Sequence, residues 1–159
     1  MLHQLTRRAR VAVLASSLIA APAVLAHTVS DEPMQSYRQS ILALVGMNFG
    51  PIADMVKGDR PWDPEAMQRF SADLTDVANL DLLRGFAPGS EKGTTRAKPE
   101  IWDNMEDFSA KLEDLRDAVA ALEEAVDTND RKVIGNAVKD AGGTCKACHD
   151  EYKAKDYLY

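Results

Sequence analysis

The five residues Cys145-Lys146-Ala147-Cys148-His149, ten residues from the C-terminus, constrain this chain more than any other stretch. Two cysteines one helical turn apart, with a histidine directly after the second, project from one face of a helix. Two such thiols can each add to a vinyl group on one edge of a haem, and the imidazole can then reach the iron. The motif therefore predicts one covalently bound c-type haem, attached through Cys145 and Cys148, with His149 as metal ligand.

Other uses of this cysteine pair fit less well. A zinc site needs four ligands, whereas these are the only two cysteines and the other histidines are His3 and His27. A thioredoxin-like redox pair opens a helix in a βαβ unit, and this pair ends a chain with helical patterning. A plain structural disulfide stays open as an alternative, but it leaves the adjacent His149 unexplained.

The N-terminus has the pattern of a secretory signal peptide. Residues 1–10 contain three arginines and no acidic residue, residues 11–24 are apolar, and small residues precede Ala26. We therefore expect cleavage after Ala26, export to the periplasm, and a mature domain of residues 27–159. The apolar run is short for a membrane span, so no membrane association is expected after cleavage, with an uncleaved anchor as the alternative.

Charge and composition narrow the functional classes. The leader carries three of the 19 basic residues and none of the 25 acidic ones, so the mature chain has a net charge of −9. Such an acidic chain is a poor partner for nucleic acid. No arrangement of nucleophile, base and orienting acid is visible in the sequence, and the chain is not expected to be an enzyme.

Apolar residues recur at helical spacing through the mature chain and predict an all-α fold. Prolines and N-capping residues before the apolar runs, and glycines after them, set the boundaries. Short links after the first and third segments imply an antiparallel four-helix bundle with the haem between helices. The predicted helices are Pro33 to Lys57, Pro64 to about Arg84, Pro99 to about Asp127, and about Asn129 to Tyr152, with one long loop at Gly85–Lys98.

Two details of this pattern carry alternatives. Arg38 projects from the middle of the apolar face of the first helix, so it needs either a buried partner or a route to water at the bundle end. The pair Gly142-Gly143 interrupts the fourth helix with two poor helix formers. It indicates either close approach of a flat cofactor to the backbone or a local break in the helix.

The chain resembles the class II c-type cytochromes, and the cytochrome c′ family in particular. The resemblance rests on the haem motif near the C-terminus, on Tyr37-Arg38-Gln39-Ser40, and on Lys98-Pro99-Glu100-Ile101-Trp102. It implies that Arg38 meets a haem propionate with Gln39 as its neighbour. It makes Arg96 a weaker candidate for the other propionate, with a solvated loop charge as the alternative.

The resemblance also bears on the sixth position of the iron. Low-spin members of the class place a methionine one turn after the arginine, and here the matching residue is Leu42, which has no lone pair. This implies a five-coordinate, high-spin iron whose distal side is covered by Leu42, with Leu82 and Phe86 as further distal wall. Such a site favours NO and CO over O₂, which gains stability from a distal hydrogen-bond donor.

The functional hypothesis is therefore a periplasmic haem protein that binds NO or CO and acts in NO sequestration or in redox chemistry. The alternatives are a soluble electron-transfer cytochrome with a low-spin, six-coordinate haem and a redox partner protein, or a helical module without haem. A strip of small residues on the first helix, with the resemblance, predicts a homodimer; otherwise the strip is solvated or packs on the second helix. The strip consists of Gln39, Ala43, Gly46 and Gly50.

Overall fold

The structure is a computed structural model that describes residues 32–158, so the predicted signal peptide lies outside the described residues. Its helices are α1 (Pro33–Lys57), α2 (Pro64–Ala78), a 3₁₀ helix (Leu82–Phe86), α3 (Glu100–Asp103), α4 (Met105–Asp127) and α5 (Arg131–Tyr152). Between residues 32 and 158 there is no strand, only an isolated bridge between Ala97 and Lys153. The predicted all-α four-helix bundle is confirmed, with α1, α2, α4 and α5 as its long helices.

Helix ends follow the local signals in most places. Pro33 stands in the first turn of α1, and Gly58 ends that helix with a φ of 85°, a left-handed conformation that favours glycine. The Asp63 carboxylate accepts a hydrogen bond from the Ala66 N–H and caps α2. Asp130 caps α5 in the same way through the N–H groups of its second and third residues.

The second predicted helix is too long, because α2 ends at Ala78 and not at Arg84. After a turn, Asp81 accepts a hydrogen bond from the Arg84 N–H and starts the 3₁₀ helix. This change of direction carries Gly85 against α1, where a Cβ atom on Gly85 would stand only 2.8 Å from the Arg38 Cβ. A tertiary contact that only glycine permits therefore overrides the helical pattern.

The third predicted segment is two helices, separated at Asn104. The Asn104 side chain donates a hydrogen bond to the Glu100 carbonyl oxygen, and its backbone φ of −127° is not helical. The fourth segment shows the opposite outcome, because α5 is continuous through Gly142 and Gly143. The alternative of a local break at these glycines is therefore wrong.

The bundle contains two apolar clusters. The larger, which we call the main core, occupies the half of the bundle that holds the turns at residues 58–63 and 128–130, where the Arg131 guanidinium lies 4.4 Å from the Trp62 ring centre. The smaller, which we call the cavity core, lies towards the C-terminus of α5. Its buried members are Ile41, Leu82, Phe86, Ile101, Phe108, Leu112 and Tyr152.

None of the helices within residues 32–158 is long and apolar enough to cross a membrane.

Candidate cofactor site

A cavity of about 520 Å³ lies beside the cavity core. Its walls come from the four helices α1, α3, α4 and α5, from the 3₁₀ helix, from the loop before α3 and from residues after the end of α5. A cleft of this size is typical of a small-molecule or cofactor site. All nine residues predicted for the site line this one cavity: Arg38, Gln39, Leu42, Leu82, Phe86, Arg96, Cys145, Cys148 and His149.

The α5 wall carries the chemically reactive groups. Cys145 and Cys148 lie half-buried one helical turn apart, and neither thiol is bonded to another cysteine. Burial raises the pKa of both thiols above the ordinary value. Partial burial, with Lys153 and Arg96 nearby, lowers the pKa of His149, which favours the neutral imidazole that can bind a metal ion. One wall therefore offers two thiols and an imidazole to the same space.

Arg38 lies on the α1 wall of the cavity with only 2% of its surface exposed. Its Nη1 donates to the Gly85 carbonyl oxygen (2.9 Å) and to the Ser90 carbonyl oxygen (3.0 Å), and its Nη2 donates to the Thr95 hydroxyl (2.7 Å). The guanidinium also stands 4.9 Å from the Phe86 ring centre. The alternative in which Arg38 extends to water is therefore wrong.

The hydrogen-bonding partners of Arg38 are carbonyl and hydroxyl groups, so they orient its charge without neutralising it. Burial lowers the pKa of Arg38, and the Glu32 carboxylate acts in the other direction. A guanidinium stays protonated in such a setting because its ordinary pKa is very high. The cavity wall thus carries a fixed positive charge, which suits an anionic group on a ligand.

The other two predicted polar residues hold loops. The Gln39 amide donates to the Thr94 carbonyl oxygen at 2.6 Å. Arg96 donates through Nε to the Ala154 carbonyl oxygen at 2.9 Å and through Nη2 to that of Lys155. Arg96 is therefore not a solvated loop charge, but the side chain that joins the loop before α3 to the end of the chain.

The apolar wall comes from residues of very different exposure. Leu82 and Phe86 are buried members of the cavity core, whereas Leu42 is 40% exposed on α1. No methionine lines the cavity within residues 32–158; Met55 and Met67 lie in the main core, and Met47 is exposed on α1. Leu42 is therefore less tightly packed than Leu82 and Phe86.

Sequence reasoning missed several residues of this cavity. Lys111 lines it and forms ion pairs with Asp107 (3.4 Å) and Glu151 (3.3 Å). Tyr157 lines it from beyond the end of α5, in a segment without helical spacing. The polar face of α4 gave a weak signal for Lys111, whereas nothing local in the sequence pointed to Tyr157.

Comparisons with known proteins agree with this geometry. The model of the family described as "Cytochrome C'" matches residues 34–153. A protein named cytochrome c′ from Cereibacter sphaeroides is 37% identical over 147 residues, which cover 90% of this chain and 97% of that protein.

Solved structures of proteins with that name share the fold. The crystal structure of cytochrome c′ from Rubrivivax gelatinosus matches with a TM-score of 0.72 and 36% identity, covering 77% of this chain and 95% of that one. The nitric oxide complex of a leucine-to-alanine mutant of cytochrome c′ from Alcaligenes xylosoxidans matches with a TM-score of 0.72 and 33% identity. It covers 82% of this chain and all of that one (100%).

Proposed function

Because the chain belongs to the cytochrome c′ family, we propose that it is a ligand-binding haem protein in which His149 is the only protein ligand to the iron. Haem c is the cofactor of this family, and the described cavity has the thiols, the imidazole and the volume that the group requires. Cys145 and Cys148 would hold the haem by thioether bonds. When bound, its iron supplies an open coordination position for a small ligand.

The observation that carries the proposal is the residue set of the cavity wall. His149 is the only histidine among the described residues, and Leu42, Leu82 and Phe86 supply apolar surface where no methionine sulfur is available. A leucine side chain covers space without binding iron, because it has no lone pair. This supports a five-coordinate, high-spin iron with Leu42 over the vacant side.

The cavity also supports selection among diatomic ligands. The Gln39 amide and the Arg38 guanidinium donate hydrogen bonds to protein oxygens. We therefore expect neither group to donate a hydrogen bond to a bound gas. Without a distal hydrogen-bond donor, the affinity of the iron for O₂ falls more than its affinity for NO or CO. The nitric oxide complex of a relative supports NO as the principal ligand.

The charge of Arg38 supports its role as the partner of a haem propionate, with Gln39 beside it. The guanidinium is held in place before any ligand binds, so little of its mobility remains to be lost on binding. Arg96 lines the same cavity, and its Nη1 is the remaining candidate for the second propionate.

The proposed setting is the periplasm, reached by cleavage after Ala26, with residues 27–159 as the mature domain. There the protein would sequester NO or exchange electrons with a partner protein, without turning over a substrate. A homodimer across α1 is part of the proposal. An added Cβ at Gly46 or Gly50 would meet nothing within 4 Å, so these glycines do not pack on α2. Gly46 lines the cavity, so the end of the strip at Gly50 is the part that supports contact with a second copy.

The test is the electronic spectrum of the purified holoprotein with and without CO, alongside a His149→Ala variant. We expect high-spin ferric bands, a ferrous Soret band that shifts with CO, and loss of the native ligand field in His149→Ala. A sharp low-spin spectrum that does not respond to CO would instead indicate the six-coordinate electron carrier. Absence of haem would leave only a helical module.

A further inference from the structure

Residues 153–158, which we call the C-terminal tail, follow the last turn of α5 and lie beside the loop before α3. Lys153 forms an antiparallel bridge with Ala97. Near the other end of the tail, the Leu158 N–H donates a hydrogen bond to the Thr95 carbonyl oxygen at 3.1 Å. The tail is therefore joined to this loop near both of its ends.

The two joined segments concentrate positive charge. Residues 95–98 and the tail, which together we call the basic patch, contain four basic residues and one acidic residue, so their net charge is +3. The mature chain has a net charge of −9, and α4 alone carries eight acidic and two basic residues, which give −6. The patch is thus a positively charged surface on an acidic protein. Its basic residues are Arg96, Lys98, Lys153 and Lys155.

The cations of the basic patch are not neutralised by carboxylates. None of the ion pairs formed within residues 32–158 includes one of them, and the neighbouring Glu151 carboxylate is paired with Lys111 at 3.3 Å. The Arg96 guanidinium donates to two carbonyl oxygens of the tail, and the Lys98 ammonium donates to the Glu151 carbonyl oxygen at 2.7 Å. Main-chain acceptors are neutral, so the charge remains available to an external anion.

The same patch exposes two large apolar side chains. Tyr157 is 60% exposed and Leu158 is 40% exposed, and the ammonium groups of Lys153 and Lys155 are on exposed residues beside them. Protein interfaces combine apolar and aromatic contacts with a polar rim. This composition favours a surface that contacts another protein over a run of charges that serves only solubility.

We propose that the basic patch is the surface on which an electron-transfer partner protein docks through its own carboxylates. The inference rests on the proposed function, because it names the chemistry of the redox partner. Complementary charges raise the rate of encounter and fix the orientation of the two proteins. Five residues of the patch line the cavity, so a docked partner lies next to the candidate cofactor site. One electron would pass between the partner and the haem iron, with no bond formed or broken.

An anionic membrane fits this patch less well than a protein does. A membrane is a wide surface of one sign, so it would repel the acidic remainder of the chain, including α4 with its net charge of −6. A partner protein can contact the patch alone. The occupant proposed here is therefore an acidic surface of a protein.

The first test follows backbone amide shifts of the CO-treated ferrous holoprotein by NMR during titration with poly-L-glutamate. The amides of Ala154 and Leu158 should shift while those of α2 do not. About 1 M sodium chloride should reverse the change, because the screening length then falls to about 3 Å. Net charge alone predicts no binding, since chain and probe are both acidic. Absence of shifts at low salt, or shifts confined to other elements, overturns the proposal.

A pair of double variants separates local charge from overall charge in this titration. Lys98→Gln combined with Lys155→Gln removes two cations that do not line the cavity, and should raise the dissociation constant about tenfold. Lys132→Gln combined with Lys139→Gln makes the same change of charge at exposed positions of α5, and should stay within about twofold of wild type. Equal effects of the two double variants would overturn the role of the patch.

Asp156→Asn tests the proposal in the opposite direction and keeps all four cations. It raises the net charge of the patch, so the dissociation constant for poly-L-glutamate should fall about twofold. Asp117→Asn removes an exposed carboxylate of α4 and is the matched control, which should bind as wild type does. If Asp117→Asn tightens binding as much as Asp156→Asn, overall charge governs binding and the proposal is wrong.

The second test asks whether the patch acts in electron exchange. Ferricyanide is a trivalent anion that takes one electron from the ferrous holoprotein, and its rate is measured at increasing ionic strength. The rate should fall with salt if the anion approaches the basic patch. A rate that rises with salt would show that the overall negative charge controls the approach, and would overturn this role.

The outcomes separate this inference from the proposed function. A haem-loaded chain that responds to CO but does not bind poly-L-glutamate overturns the docking surface alone. Binding to vesicles of phosphatidylglycerol without a response to poly-L-glutamate overturns it in favour of a lipid surface. A purified chain without haem overturns the proposed function, and with it the role of the patch in electron exchange.

Discussion

The two ends of the bundle are stabilised by different interactions. The main core is apolar, and its members recur every three or four residues on all four long helices. The cavity end is closed by the 3₁₀ helix, by the loop before α3 and by the C-terminal tail, which Arg38, Gln39 and Arg96 hold through hydrogen bonds to backbone oxygens. One end is thus specified by apolar periodicity and the other by single polar contacts between distant residues.

This difference explains how a helical bundle can keep an open site. A core built from regularly spaced apolar side chains closes to native packing density, whereas an end built from loops can leave a cavity. The shape of the cavity is then fixed by a few satisfied hydrogen-bond donors, of which the Arg38 guanidinium is buried. We expect substitutions at the first end to change stability, and substitutions at the second to change ligand binding more than stability.

The largest effect is expected from Leu122→Ala in the main core. Leu122 is fully buried on α4, and truncation of such a leucine costs about 2–5 kcal/mol of unfolding free energy. Urea denaturation of the holoprotein measures the loss, and CO binding kinetics under folding conditions should stay at the wild-type rate. A change in the CO association rate without a change in stability would contradict the different roles assigned to the two ends of the bundle.

Arg38→Gln should give the next largest effect, because it removes the donor shared by Gly85, Ser90 and Thr95. Loss of a buried, charge-assisted donor costs about 1–3 kcal/mol. The amides of residues 85–95 should lose protection from hydrogen exchange while those of the main core keep theirs. Arg84→Gln, whose guanidinium stacks on the Tyr37 ring at the surface, serves as control; equal losses in both variants would contradict the role of Arg38.

Leu42→Ala should affect ligand entry more than stability. Because Leu42 is 40% exposed, its truncation should cost less than about 1 kcal/mol. The association rate of CO with the ferrous protein should nevertheless rise, since the side chain covering the iron is shortened. Flash photolysis measures this rate, and an unchanged value would remove Leu42 from the distal side. Leu42→Met sharpens the test, because a sulfur in reach of the iron should convert the spectrum to low spin.

Gly50→Glu should change assembly and leave both ends folded. Gly50 lies on the strip of small residues on α1 and, unlike Gly46, does not line the cavity, so a charged side chain there would keep a second copy away without entering the site. Sedimentation at micromolar concentration should show a haem-loaded monomer for this variant and a dimer for wild type. Ala120→Glu, on an exposed position of α4, is the control and should remain dimeric. A monomeric wild type would exclude this interface.

The smallest effect concerns pH, through the hydrogen bond that the Tyr152 hydroxyl donates to Asp107. This bond is the main cause that raises the pKa of Tyr152 in the folded protein, so the folded state keeps a proton that the unfolded state loses above about pH 10. Stability of wild type should therefore fall as pH rises through that range. Tyr152→Phe should be slightly less stable at pH 7 and lack this alkaline loss, as urea denaturation from pH 7 to 11 would show.

The success of the sequence-based prediction followed the same division. The bounds of α1 and the start of α2 were correct because a proline, a capping aspartate and a glycine mark them locally. The end of α2 was wrong because contact between Gly85 and Arg38, 47 residues apart, decides it.

Within the candidate site, the residues carried by motifs line one cavity, whereas the packing of the tail against the loop before α3 was not predicted. Residues 154–158 have no helical spacing, and their partners Thr95 and Arg96 lie more than 50 residues earlier in the chain. The acceptors of Arg38 also lie in an irregular loop. Pairings of this kind depend on tertiary structure, which a single sequence does not display.

The loop before α3 also brings the two ends of the described chain together. The Glu32 carboxylate accepts a hydrogen bond from the Thr94 N–H at 2.8 Å, and the Leu158 N–H donates to the next residue, Thr95. The two ends of the described residues therefore lie close to each other, both bonded to the loop that borders the cavity. Circular permutation is therefore feasible: a short linker would join residue 158 to residue 32, and new ends would open in the exposed turn between Asp59 and Arg60, at the far side of the main core. In a permuted chain of this kind, a peptide linker beside the haem site would join the two ends that hydrogen bonds to the loop now hold together.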